Sequence, residues 1–164
     1  KPAYVSLVMG SKEDWDFAKK IKELLSVFNV MVDVHIVSAH KNGECIAELA
    51  NTYNDSVEPG CIIAIAGRSN GLGGALSANV NIPVINCPPF KDRADIQFNI
   101  NSSLFMPSQA PAMTVVYPEQ AVSAAIRTLN LPSLRLKISE DIQTMKQTLR
   151  DDDMRLRKEL DFCE

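Results

Sequence analysis

Short apolar runs rich in valine and isoleucine alternate along this chain with longer stretches whose apolar residues recur every three or four positions. The first run, Tyr4 to Met9, ends at Gly10-Ser11, as a strand ends at a loop. From Asp14 to Phe28, residues Phe17, Ala18, Ile21, Leu24, Leu25 and Phe28 share one helical face. Val32, Val34 and Ile36 then alternate with Asp33 and His35, the period of a strand. Ile46, Leu49, Ala50 and Tyr53 mark a second helix. Cys61 to Ala66 is apolar throughout and predicts a strand buried on both faces. A glycine-rich turn leads to a short helix near Gly74 to Ala78. Val84 to Cys87 is a fourth strand, stopped by Pro88-Pro89. A helix follows over Asp92 to Leu104, then a fifth strand over Met113 to Val116. The next helix, Pro118 to Leu129, has proline in its first position.

Five strand–helix units predict an α/β fold, a three-layer sandwich with a central parallel sheet and right-handed crossovers. The tail differs. From Ser133 to Leu160, the residues Leu134, Ile138, Ile142, Met145, Leu149, Leu156 and Leu160 recur mostly at helical steps, with charged residues between them. We expect a long amphipathic helix there. Residues 1–132 would form the α/β domain and residues 133–164 its helical extension. A helix of that length favours packing across a subunit interface.

Composition narrows the classes. The 164 residues suit one domain with its own core, and the net charge of −3 argues against a broad nucleic-acid or membrane footprint. No run is long and apolar enough to span a bilayer. The chain begins Lys1-Pro2-Ala3, without initiator methionine or signal peptide, so we expect a piece of a longer polypeptide. Cys45, Cys61, Cys87 and Cys163 form no C-x-x-C pair, and the only histidines are His35 and His40. We therefore expect reduced thiols, a cytoplasmic location, no metal site and no cofactor.

In parallel sheets of this kind, ligands bind beyond the carboxyl ends of the strands. Three loops fall there. In Met9-Gly10-Ser11-Lys12-Glu13-Asp14, the glycine allows close approach and the helix start can hold an anion. Asp14 cannot serve a phosphate but can accept hydrogen bonds from ribose hydroxyls. An ordinary strand–helix turn is the competing reading. In Ser38-Ala39-His40-Lys41, His40 can move a proton near neutral pH, and Lys41 adds positive charge. His35 lies mid-strand and reads as a packed or solvent-facing side chain. The third loop is Ala66-Gly67-Arg68-Ser69-Asn70-Gly71-Leu72-Gly73-Gly74. Its glycines allow a tight curve with exposed N–H groups, and Arg68 can grip a phosphate. The loop fits neither the dinucleotide fingerprint nor a Walker A motif.

Together these loops resemble the aminoimidazole ribonucleotide (AIR) carboxylase family, as do Pro83-Val84-Ile85 and Cys87-Pro88-Pro89. The resemblance runs from Tyr4 to about Leu129. It implies a flavodoxin-like sheet and an enzyme of de novo purine synthesis. The family has two branches. In one, a mutase, the third loop carries a second histidine. In the other, which uses carbon dioxide directly, it reads Ala-Gly-Arg-Ser-Asn-Gly-Leu-Gly, as here. That form resembles the carboxylase domain that animals carry beside a succinocarboxamide synthetase domain. Two departures stand out. Asn42-Gly43-Glu44 follows the second motif where the family has a nearby proline, and Gly74-Ala75 replaces an expected glycine–proline.

The resemblance implies His40 as proton shuttle, with Lys41 and the backbone around Gly67 steadying the new carboxylate. Ser11, Ser38 and Arg68 are candidates for phosphate, and Asp14 for ribose. Gly10, Ala39, Ser69, Gly71 and Leu72 complete the expected ribonucleotide-binding set. The implied partners are the ribonucleotide, carbon dioxide and other copies of the chain in an octamer, with no nucleic acid or membrane. A mutase, a non-catalytic nucleotide-binding module and, on fold analogy alone, a flavin or dinucleotide protein are the alternatives.

Overall fold

The computed structural model describes residues 2–161; the expected free thiol Cys163 lies outside them. Five strands form: β1 Tyr4–Met9, β2 Met31–Ile36, β3 Gly60–Ile65, β4 Val84–Asn86 and β5 Met113–Thr114. Between and after them run six helices: α1 Trp15–Leu25, α2 Glu44–Asn54, α3 Gly71–Asn79, α4 Arg93–Leu104, α5 Pro118–Leu129 and α6 Pro132–Asp161. The strands make one sheet in the order β2-β1-β3-β4-β5, every pairing parallel. This is the flavodoxin-like order expected, and its switch point lies between β1 and β3.

Every residue of β1 and β3 is buried, which is why both read as unbroken apolar runs. Val5, Leu7 and Met9 point to one face of the sheet, toward α1 and α5. Val8, Ile62, Ala64 and Val84 point to the other and join a cluster with Ile46, Tyr53, Leu72 and Leu76 from α2 and α3. Each large side chain so buried contributes about 1.5–3 kcal/mol. At the sheet edge, β2 alternates imperfectly. Val32 and Val34 are half-buried, but Ile36, the last residue of this edge strand, is 50% exposed. His35 is also on this edge, and its Nε2 pairs with Asp33 Oδ2 at 2.9 Å.

Four boundaries differ from the sequence pattern. α1 ends at Leu25, so Phe28 lies beyond it. β4 stops at Asn86 and β5 at Thr114, each shorter than its apolar run. α3 begins at Gly71, not Gly74. Glycine is a poor helix former, which hid this start. The helix begins there because Asn70 caps it: the Asn70 Oδ1 accepts from Gly73 N at 2.9 Å.

The chain divides into two compact units, the first ending at Leu129 and the second beginning at Asn130. Asn130, at φ 52°, makes the break between α5 and α6. α6 is a 30-residue helix with Pro132 at its first position. No helix among the described residues is long and apolar enough to cross a membrane.

Candidate active site

The first and third loops meet at the switch point. Gly10 N donates to Ile65 O at 3.1 Å, and a Cβ on Gly10 would lie 3.5 Å from that of Ala66. Beyond Gly10 the chain makes a single 3-10 turn, Lys12–Asp14, which Ser11 caps by accepting from Glu13 N at 3.2 Å. Ser11 is half-buried, and as its oxygen accepts that bond its hydroxyl proton remains a donor. Burial raises the Asp14 carboxyl above its ordinary pKa, and the neighbouring Glu13 adds to the shift. Asp14 makes no side-chain cap to α1 and lines the cleft described below.

The second loop is wound into a tight turn by the residues that replaced the expected proline. Asn42 Oδ1 accepts from Ser38 N at 2.7 Å, and Asn42 N donates back to Ser38 O at 3.0 Å. Gly43 then passes so close to Ala39 that a Cβ there would lie 2.6 Å from the Ala39 carbonyl oxygen. The departure in sequence thus has a structural account: Asn42 and Gly43 close the turn that presents His40. The imidazole and Lys41 are both exposed. A Cβ on Gly71 would lie 3.2 Å from His40 Cε1, 3.4 Å from Nε2 and 3.3 Å from Ala39 Cβ. The second loop therefore rests on the start of α3.

The third loop does not turn as its glycines led us to expect. None of the described glycines has a positive φ; the left-handed residue is Arg68, at φ 61°. The glycines serve close approach instead. A Cβ on Gly67 would lie 2.7 Å from Asn99 Oδ1 of α4, and one on Gly73 would overlap Asn86. Asn70 is structural. Its N donates to Ser102 Oγ and its Nδ2 to Ser103 Oγ, both at 2.9 Å, stapling the loop to α4. Arg68 and Ser69 remain exposed, with Ser69 O accepting from Gly71 N. Leu72 carries its side chain into the core, which leaves only its backbone for a ligand.

Three of the candidates line a common cleft, and Gly10, Ser11, Ser69, Gly71 and Leu72 lie outside it. Asp14, Gly67 and Arg68 line an open cleft of about 1160 Å³, ample for a mononucleotide. Ala39 and His40 lie against Gly71, and neither they nor Lys41 or Ser38 line that cleft. Sequence reasoning missed the rest of the cleft wall. Asn99 reaches it from α4 while its Nδ2 donates to Pro89 O at 3.0 Å. Phe17, Phe90 and Tyr117 form a row of edge-to-face rings, with centroids 5.5 and 6.0 Å apart. These come from separate segments, and no local motif marks them. Among the described residues, no group of three His, Cys, Asp or Glu side chains is placed to hold a metal ion. Burial pushes the thiols of Cys61 and Cys87 up to about 11 and about 12, so both stay protonated at neutral pH.

A family model described as AIR carboxylase matches residues 4–152. The chain belongs to the AIR carboxylase family. The match extends past Leu129 into α6, so more of this AIR carboxylase chain follows the family than its motifs indicated. A phosphoribosylaminoimidazole carboxylase of Treponema denticola is 32% identical, over 94% of this chain and 98% of that protein. The crystal structure of Treponema denticola PurE superposes with a TM-score of 0.84 at 33% identity, covering 94% of this chain and 98% of that one. A Drosophila melanogaster protein, a bifunctional phosphoribosylaminoimidazole carboxylase/phosphoribosylaminoimidazole succinocarboxamide synthetase, is 35% identical over 90% of this chain. The chain spans only 29% to 36% of the length of the animal relatives it matches. AIR carboxylases are enzymes of purine biosynthesis, and this chain has the fold of a solved relative.

Proposed function

We propose that this chain carboxylates aminoimidazole ribonucleotide with carbon dioxide, giving carboxyaminoimidazole ribonucleotide. The observation that carries this reading is His40, held at the carboxyl edge of the sheet with its ring against Gly71 of the third loop. The amino group of the substrate pushes electrons into the imidazole ring, and a ring carbon attacks carbon dioxide. A carbon–carbon bond forms, the C–H bond at that carbon breaks, and His40 takes the proton and passes it to water. Lys41 and the backbone N–H groups near Gly67 steady the new carboxylate. Asp14 accepts from the ribose, while Ser11, Ser38 and Arg68 hold the phosphate; the backbones of Gly10, Ala39, Ser69, Gly71 and Leu72 complete the cradle. Bringing two reactants together contributes up to roughly 7–11 kcal/mol, and the proton transfer about 10²–10⁴-fold.

The third loop favours the direct use of carbon dioxide over the mutase reaction, because Ala66 to Gly74 contains no histidine to serve a second proton transfer. The deciding assay supplies the purified chain with aminoimidazole ribonucleotide and bicarbonate, in excess chelator and without ATP. Turnover there supports the reading. Turnover only with the N-carboxylated nucleotide makes the chain a mutase, and binding without turnover makes it a nucleotide-binding module. The animal relatives pair this activity by name with a succinocarboxamide synthetase. A fusion of that kind is the covalent partner we propose, and the mass of the native polypeptide tests it.

A further inference from the structure

Asn86 ends β4, the strand next to the sheet edge, in register with Ala64 of β3 and Thr114 of β5. It is 0% exposed. Its main-chain oxygen is used, accepting from Val115 N at 2.9 Å. Its side chain is not: among the described residues neither Oδ1 nor Nδ2 has a hydrogen-bond partner. A buried amide without partners costs stability, and a side chain of the same shape without polar atoms would avoid that cost. Proteins tolerate such a cost most often where activity needs the geometry it maintains.

The surroundings show what the side chain does. It presses on the Cα of Gly73, where an added Cβ would overlap its Oδ1 and lie 2.8 Å from its Cγ. That same Cβ would lie 2.9 Å from Asn70 Nδ2, while Asn70 Oδ1 caps the Gly73 N–H. Two asparagine side chains thus crowd the same side of Gly73. Two residues earlier, Gly71 carries the His40 imidazole on its outer side. Gly71-Leu72-Gly73 is therefore a thin shim, with His40 on one side and Asn86 on the other. Packed protein transmits a displacement of one side to the other.

We propose that Asn86 is a positioning residue, which braces Gly73 from within the sheet and so fixes the His40 imidazole. The proposal rests on reading His40 as the proton carrier. The test uses Asn86→Ser, which is smaller and keeps a hydroxyl, and Asn86→Leu, which keeps the shape without polar atoms. With only two histidines in the chain, ring Cε1–Hε1 NMR resolves both, and His35 on β2 is an internal control. The expected result is a moved His40 resonance in Asn86→Ser, whose shorter side chain withdraws from Gly73, with the His35 resonance unchanged; Asn86→Leu, which keeps the contact, should leave both resonances in place and melt at or above the wild-type temperature. In Asn86→Ser, kcat should fall about tenfold to a hundredfold, the scale of a displacement approaching an ångström, with the ribonucleotide KM unchanged. An unmoved His40 resonance in Asn86→Ser, or movement of both resonances together, overturns the brace, as does unaltered kcat in that variant. If Asn86→Leu does not fold, Asn86→Ser carries these readouts alone. If the wild-type chain itself does not turn over, the carboxylase reading fails, yet the His40 resonance still reports on the brace.

Discussion

The His40 imidazole lies against Gly71, where an added methyl group would sit 3.2 Å from its Cε1, closer than ordinary contact. Gly71 is the first residue of α3 and has no positive φ that would demand glycine. By backbone preference alone, Gly71→Ala should stabilise the helix, by about 0.4–1 kcal/mol. The contact with His40 opposes it, since an added Cβ at 3.2 Å forces the ring to give by a few tenths of an ångström. We expect a melting temperature at or above wild type together with a lower kcat. Thermal melts and steady-state kinetics on one preparation check this, and unaltered kcat would show that the ring position does not matter.

His40→Asn should abolish turnover while leaving the fold and ribonucleotide binding intact. The side chain is exposed and its loop is closed by Ser38 and Asn42, not by the imidazole. The expected loss is about 10²–10⁴-fold, the range for removing a positioned acid–base group. Circular dichroism and ribonucleotide titration serve as controls. Activity within about threefold of wild type would remove His40 from the proton path, for which a loss of this size is required.

Asp14 ties the site to pH. Burial raises its folded-state pKa, so the folded chain holds this proton more tightly than the unfolded chain does. Asp14 therefore favours folding below its unfolded pKa of about 3.9, and that contribution is lost as pH rises through the raised folded value. At neutral pH the charged carboxylate is a burden that Asp14→Asn relieves. No cap is lost, because the side chain makes none. The variant should melt at or above wild type at neutral pH, with the gap closing under acid conditions. It should also bind the ribonucleotide about ten- to a hundredfold more weakly, as one or two hydrogen bonds to a charged group are weakened. Tighter binding by Asp14→Asn would show that Asp14 does not hold the ribose.

What was legible in the chain follows from the physics of each signal. β1 and β3 are buried on both faces and leave continuous apolar runs, so both strands and the loops that follow them could be placed. Those loops carry glycine, histidine and arginine where a parallel sheet presents ligands, which made the candidate site visible. The start of α3 was hidden because its glycines resist helix formation, and its cap depends on Asn70 being tied to Ser102 and Ser103, over thirty residues away. Asn99 and the ring row of Phe17, Phe90 and Tyr117 were hidden for a related reason. Each is brought to the cleft by the fold of a different segment, and no local spacing records that meeting.

The last prediction concerns α6. Along it Leu134 is buried and Ile138 and Ile142 are half-buried, while Met145 and Leu149 are 51% and 61% exposed. The polar side carries exposed ion pairs, Lys137 with Asp141 at 3.1 Å and Arg157 with Asp153 at 3.2 Å. Pairs of that kind contribute only about 0.3–0.5 kcal/mol each. They do not account for a helix roughly 45 Å long standing with an apolar stripe in water. Burying each large side chain of the stripe contributes about 1.5–3 kcal/mol, so other copies of the chain are its natural cover. We expect a homo-oligomer, an octamer if it follows the family resemblance, measured by light scattering at micromolar concentration. Ile142→Asp places a charge in the middle of the stripe, where an interface would have to desolvate it. The variant should show a lower mass or precipitate, with activity falling alongside. A monomeric wild type would refute the oligomer outright. An Ile142→Asp protein of unchanged mass and activity would mean that this face of α6 stays in water, and that its leucines and methionines serve no assembly.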